Sequence, residues 1–440
     1  MYTQRLTPRV EYIIKFIFED ILKVKVRITS SYTDAKVHNG VLISYCKVKV
    51  KESVHIVPHS LMIDDSLTRQ HIEFFKWEGL TAFFHTSEEA DIPFDIFAAS
   101  FYLVSRYEEY FSYDPDKHGR ITSVQSAAFI GGFLEEPIVD QWAYKFVEII
   151  RKKYPSFRIG HKTFEFLPTI DVDTAFAYQH KGAARAILGS IKSIIFFRFR
   201  DFVNRIKVYS RLKKDPFDIY DNLFSILKEW PYTIWFILVG RYWRYDKNIS
   251  IQNGAMRSLV KRISQNFRVG IHPSYQSGVS AERVREELAD LVDALDCEVV
   301  QSRQHFLRIF LPVTYRNLAS LGIKEDYSMG YFDRSGFRAG TCTPFLFYNL
   351  KEERVVNLRI YSFQTMDFTL CEKMKLSPLQ AAQHIMDLVN KVKAVNGTFI
   401  SIWHNEYMSG ISPWKGWELL LPLVLEKVKR LKSEDQVSSA

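Results

Sequence analysis

From Phe164 onward the chain alternates short β-type runs with amphipathic helical stretches, and this alternation restricts the fold more than any other feature. The β-type runs are Phe164–Ile170, Tyr232–Val239, Val269–Ile271, Glu298–Ser302, Tyr327–Gly330, Asn357–Phe363 and Thr398–Trp403. Between most of them, Met256–Phe267, Ala281–Leu295, Pro378–Val395 and Trp417–Leu431 repeat apolar residues at steps of three and four. Such a chain builds an α/β fold on a largely parallel sheet, open or closed into a barrel. About seven strands are too few for a regular eight-fold barrel and suit a distorted one.

The run beginning at Phe164 stops at Asp171-Val172-Asp173. Period two puts both carboxylates on one face of a strand, where they repel and require a cation, a proton or a metal nearby. The alternative is a pair that caps a helix or lines a wet turn. Other runs end in Gly270-Ile271-His272-Pro273-Ser274-Tyr275, in Arg303-Gln304-His305 and in Trp403-His404-Asn405-Glu406. The carboxyl ends of parallel strands face one side of a sheet, so these side chains are expected at one rim. An Asp with one or two His from separate strands holds Zn²⁺ or another borderline divalent ion and leaves positions for water and substrate. A second carboxylate then takes a proton, and a histidine opposite protonates a leaving amine or alcohol.

These motifs resemble the polysaccharide deacetylase family, the NodB-homology enzymes of carbohydrate esterase family 4, over residues 161–435. The resemblance implies a distorted seven-stranded (β/α) barrel of the NodB-homology type, preceded by a smaller mixed α/β domain. It implies Asp171 as catalytic base, His404 as general acid, Arg303 as the arginine orienting the base, and Asp173 and His272 as metal ligands, with Trp403, Tyr275 and Arg338 as substrate contacts. The expected cofactor is a divalent ion, Zn²⁺ first. Position 276, where the family's second metal histidine falls, is Gln276, and Pro273 replaces Ser or Thr. A glutamine amide is a poor zinc ligand. His305 either substitutes for it or is a core histidine. Asp326–Tyr331 and Gly336–Thr341 are similar to bacterial members that carry an uncharacterised amino-terminal domain. The implied activity is metal-dependent removal of acetyl groups from a glycan or lipid-linked glycan precursor. A catalytically silent glycan-binding or scaffold relative is the alternative. A metal-free glycosidase ranks last, because Asp171 and Asp173 sit too close together to flank a glycosidic bond.

Residues 1–160 read as a mixed α/β domain of unknown role, with helical patterns at Val10–Leu22, Phe94–Val104 and Val139–Tyr154 and β-type segments at Val24–Ile28, Val41–Ser44 and Val54–Ile56. Arg106, Glu108 and Glu109 read as an ion-pair network at a domain junction. Four cysteines lie far apart, which suits reduced thiols in a cytosolic protein. No signal-peptide pattern or bilayer-spanning run is present, so the expected location is cytoplasmic or peripheral to the inner membrane.

An insertion at about 178–215 departs from this pattern. Lys181–Lys214 carries ten basic residues (Lys181, Arg185, Lys192, Arg198, Arg200, Arg205, Lys207, Arg211, Lys213, Lys214) against Asp201 alone, an excess equal to the +9 charge of the whole chain. Ile187, Ile191, Ile194, Ile195, Phe199, Phe202, Ile206 and Tyr209 mark an apolar helix face. Two readings stand: an interfacial helix on an anionic membrane, or a helix packed on its own protein with a solvated basic face. Outside the insertion charge is balanced, with no zinc-finger spacing and no aromatic-basic platform, so no nucleic-acid partner is expected.

Overall fold

The computed structural model describes residues 1–50, 52–64, 66–197 and 199–438; Arg198 of the basic stretch lies outside the described residues. Nine strands form the main sheet: β1 Glu165–Val172, β2 Ile234–Leu238, β3 Arg268–His272, β4 Gln301–Ser302, β5 Glu325–Asp326, β6 Phe345–Asn349, β7 Arg354–Ile360, β8 Thr365–Met366 and β9 Thr398–His404. Their order is β6-β7-β5-β4-β3-β2-β1-β9-β8. Every neighbouring pair is parallel except the hairpin β6/β7. The interior strand β2, Ile-Trp-Phe-Ile-Leu, is buried throughout, as expected for a parallel strand covered on both faces.

The hydrogen-bonded ladder has nine strands where the sequence suggested seven. Among the described residues β6 and β8 are its two edges and do not pair with each other. The difference arises from elements too short to show a period. Strands β4, β5 and β8 have two residues each, and β5 precedes the expected Tyr327–Gly330. The longer strand β6, unrecognised in the sequence, is the first leg of a hairpin whose return leg is β7. Helical readings fare better: Ala281–Leu295 matches in full with Ser280 as its cap, and Pro378–Ala394 starts on a reciprocal Ser377/Gln380 capping box.

At the amino-terminal side, Tyr2–Thr3, Ile43–Tyr45 and Val54–Ile56 form a three-stranded parallel sheet. Val24–Ile28 forms no strand. Helices Ile96–Val104 and Ile138–Lys153 pack into the same continuous apolar core as the main sheet. Buried charges knit the two parts. The guanidinium of Arg338 donates through Nε and Nη2 to Glu109 at 2.9 and 2.6 Å, and Arg106 Nε donates to Glu109 at 2.8 Å. Arg338 is therefore not a substrate contact: this buried carboxylate captures both ends of its fork. Asp140, also buried, accepts from the hydroxyls of Thr341 and Thr343 at 2.7 and 2.5 Å and from the Cys342 amide at 3.0 Å.

Burial would raise the Glu109 carboxyl, but Arg338 and Arg106 outweigh it and hold it down at about 2. A depressed folded-state value contributes stability above the ordinary carboxylate range and loses it as pH falls from about 4.5 toward 2. Glu109→Gln strands Arg338 in the interior, and a loss of about 3 kcal/mol is expected at neutral pH. Urea denaturation should show this gap, and the gap should narrow as pH falls through that window.

Candidate metal and acid-base centre

Parallel register gathers the site. Strand β9 sets His404 beside Asp171 of β1, strand β2 sets Leu238 beside His272 of β3, and the Arg303 amide donates to the Ile271 carbonyl at 3.0 Å as the chain leaves β4. Arg303 is fully buried. Its Nη1 donates to Asp171 Oδ1 at 2.7 Å and to Thr169 Oγ1 at 2.8 Å, its Nε donates to the Tyr327 carbonyl at 3.0 Å, and its guanidinium lies 4.3 Å from the Phe236 ring centroid. One oxygen of Asp171 is thereby fixed, and the other lies 3.9 Å from His272 Nε2.

Asp173, His272 and His305 bring their ligating atoms within 4.8 Å of one another. The Nδ1 of His272 is 2.5 Å from the Arg303 carbonyl oxygen. A carbonyl only accepts, so that nitrogen carries the proton and Nε2 presents its lone pair. Nε2 faces Asp173 Oδ1 at 3.1 Å. That oxygen is buried and makes no hydrogen bond; the two atoms are close without the alignment of donor and acceptor, as ligands aimed at a shared point are. His305 repeats the arrangement, with Nδ1 on Asp246 Oδ1 at 2.8 Å and Nε2 3.3 Å from Asp173 Oδ2. Two imidazoles anchored through Nδ1 beside one carboxylate fit a divalent ion of the zinc class. Gln276 is turned away and pairs with Arg283, so it is His305 that stands with Asp173 and His272.

Charge is finely balanced here. Burial disfavours ionised Asp173, yet the His305 charge beside it, the largest opposing influence, holds its carboxyl well below the usual range. Burial lowers His305, but Asp173 and Asp246 outweigh it and push the imidazole up to about 9. On the opposite side, His404 Nδ1 is 2.6 Å from Asp367 Oδ1 and its Nε2 is 3.9 Å from Asp173 Oδ2. Burial again opposes the charge, and Asp367, Asp173 and Asp171 raise this imidazole to about 10. It is a proton donor at neutral pH.

These groups line a cavity of about 380 Å³ that also takes Glu406 and, from the amino-terminal part, Lys117, His118 and Arg120. A larger groove of about 710 Å³ lies beside Phe18 and Phe157, but it collects no comparable set of acids and histidines. Two expected substrate contacts do not reach the cavity wall. Trp403 is a core residue whose Nε1 donates to Ser401 Oγ at 2.9 Å. Tyr275 stands one layer behind, its hydroxyl 3.1 Å from His118 Nδ1 and its ring against Phe306. Asp246, Asp367 and Glu406 complete the site without having been singled out. Asp367 follows a two-residue strand and Asp246 a loop, and neither position carries a local signal.

Residues 1–155 match a family described as a family of unknown function. No curated protein matches the chain. Among solved structures, one titled "putative polysaccharide deacetylase" from Mycobacterium smegmatis is similar at 14% identity and a TM-score of 0.39, covering 61% of this chain and 85% of its own. A mutant pseudoenzyme of the CE4 family with restored enzymatic activity is similar at 12% identity and 0.30, covering 62% and 65%. The Xyl-CE4 domain of a multidomain xylanase from the hindgut metagenome of Trinervitermes trinervoides is similar at 10% identity and 0.29, covering 61% and 85%. These values are too low to bear on activity.

Titration of metal-stripped protein with Zn²⁺, followed by calorimetry, should give one tight site. Asp173→Ala and His272→Ala should each abolish it, His305→Ala should leave only weak binding at high zinc, and Asp246→Asn should weaken it by about 10- to 100-fold. Gln276→Ala should leave it unchanged; equal loss in that variant would mean that the ligand set is misassigned.

Proposed function

We propose that the protein is a metal-dependent hydrolase that removes an N- or O-acetyl group from a glycan. The observation that carries this reading is the meeting, in one cavity, of an arginine-clamped carboxylate, an Asp/His/His donor set and a protonated histidine held by its own carboxylate. Zn²⁺ suits two imidazole nitrogens and one carboxylate. Bound by Asp173, His272 and His305, the ion supplies a Lewis acid that polarises a carbonyl and makes water more acidic.

The side chains divide the remaining work. Arg303 occupies Asp171 Oδ1, which leaves Oδ2 on the cavity side to accept a proton from water. Asp367 holds His404 Nδ1, so Nε2–H points at the cavity and can protonate the departing amine or alcohol. Base and acid thus sit on adjacent strands at paired positions, on either side of the space an acetyl group would occupy. Gln276 favours a silent relative, and the placement of His305 beside Asp173 and His272 supports the enzyme reading instead.

Acetate release from acetylated saccharides by zinc-loaded protein tests the proposal. Asp171→Asn should keep its zinc and lose turnover by about 10²- to 10⁴-fold. His404→Ala should lose a similar factor on amides and sugar esters but recover on aryl acetates, whose leaving group needs no acid. Full activity in Asp171→Asn would remove it from the mechanism.

A further inference from the structure

The basic insertion folds as a helical hairpin, α1 Ala183–Ile195 and α2 Phe199–Tyr209, inserted directly after the strand that delivers Asp171. Its root is pinned. Asp215 accepts the amides of Ala177, Tyr178 and Gln179 at 2.7 to 3.0 Å, and Tyr209 donates its hydroxyl to the Tyr178 carbonyl at 2.9 Å. The two helices meet through small and polar positions: Gly189 leaves room for the Arg205 guanidinium, and Ser193 is buried. The apolar residues consequently point outward. Ile187, Leu188, Ile191, Ile194 and Ile195 make an exposed stripe on α1, while Phe199, Val203, Ile206 and Tyr209 do so on α2. Of the 26 large apolar side chains exposed among the described residues, 12 fall between Ile187 and Leu212, and Phe197 at the tip is 80% exposed. A hairpin packed on its own protein would bury these stripes; this one presents them.

We propose that this hairpin docks the protein onto an anionic bilayer surface, with the Ile and Phe stripes in the interface and the basic side chains on lipid headgroups. Among the described residues no helix is long and apolar enough to cross a bilayer, and a 13-residue amphipathic helix suits the interface plane instead. Charge selects the occupant. The insertion's excess of basic residues favours an anionic surface, to which each nearby basic side chain adds about fivefold in partitioning. It opposes a second copy of the same chain, because the two basic faces would repel.

The hairpin is also continuous with the cavity. Arg185 lies 3.7 Å from the Tyr242 ring centroid, and Tyr242 and Trp243 are both exposed beside the hairpin root, as aromatic residues at a membrane boundary are. Trp243 packs on Tyr245 and Tyr275, and these rings contact Phe306 of the cavity wall. At the root, the Lys181 charge acts on Glu406, another wall residue.

Flotation of the full chain with vesicles tests the proposal, and it requires neither metal nor substrate, so it stands apart from the hydrolase reading. At low salt the protein should float with phosphatidylcholine–phosphatidylglycerol vesicles and at least about tenfold less with phosphatidylcholine alone. Raising salt about tenfold should release part of it. The triple variant Lys192→Glu, Arg200→Glu, Lys207→Glu should bind at least about 100-fold more weakly. Ile195→Asp with Phe197→Asp should lose binding while keeping the wild-type thermal midpoint, since both side chains are exposed. Absence of flotation by the wild type, equal flotation on neutral vesicles, or variants that float like the wild type would overturn the proposal. Concentration-dependent dimerisation abolished by Phe197→Asp, without flotation, would overturn it in favour of a second copy.

Discussion

Arg303 is the interaction on which the site depends. A guanidinium with no solvent exposure is tolerated only where its charge and most of its donors are answered. Here Nε and Nη1 are answered from separate strands, by Thr169 and Asp171 of β1 and the Tyr327 carbonyl just past β5, while Nη2 is buried without a hydrogen bond. The Arg303 carbonyl in turn fixes the tautomer of His272 at the end of β3. One residue therefore orients the Asp171 carboxylate, selects which nitrogen of His272 is free, and ties three parts of the sheet together. Lysine has neither the fork nor the reach to make these contacts at once.

The amino-terminal part belongs to this architecture. Arg120 donates to the Phe306 carbonyl at 2.9 Å and its guanidinium sits 3.5 Å from the Phe332 ring centroid, so the segment bearing Lys117 and His118 is held against the cavity. Farther back, Glu109 binds arginines from both parts of the chain. The region that matches a family of unknown function supplies part of the cavity wall, and its position depends on buried charge as much as on apolar packing.

What could be read from the sequence is what local chemistry determines. The apolar run of β2, the cap of Ala281–Leu295 and the acids and histidines at Asp171, Asp173, His272 and His404 are visible because strands and helices impose periods and because sheet ends collect polar groups. Two-residue strands impose no period and escape. Partner choice across the fold escapes too: Arg338 finds Glu109 from 229 positions away, and Asp246 and Asp367 reach His305 and His404 through loops. Gln276 occupies the expected motif position but leans toward Arg283, and the meeting of His305 with Asp173 and His272 rests on tertiary placement that no spacing encodes. For the insertion, composition showed the charge; only the packing of Gly189 against Arg205 explains why its apolar stripes face outward.

The claim at the centre of this account is that Asp173, His272 and His305 hold one divalent ion. Zinc-edge X-ray absorption on the zinc-loaded protein measures it most directly. The account predicts a shell with two imidazole nitrogens at about 2.0 Å and the balance oxygen, falling to one imidazole in the weakly loaded His305→Ala protein at saturating zinc. A shell without imidazole scattering, or one that is unchanged by removing His305, would contradict it.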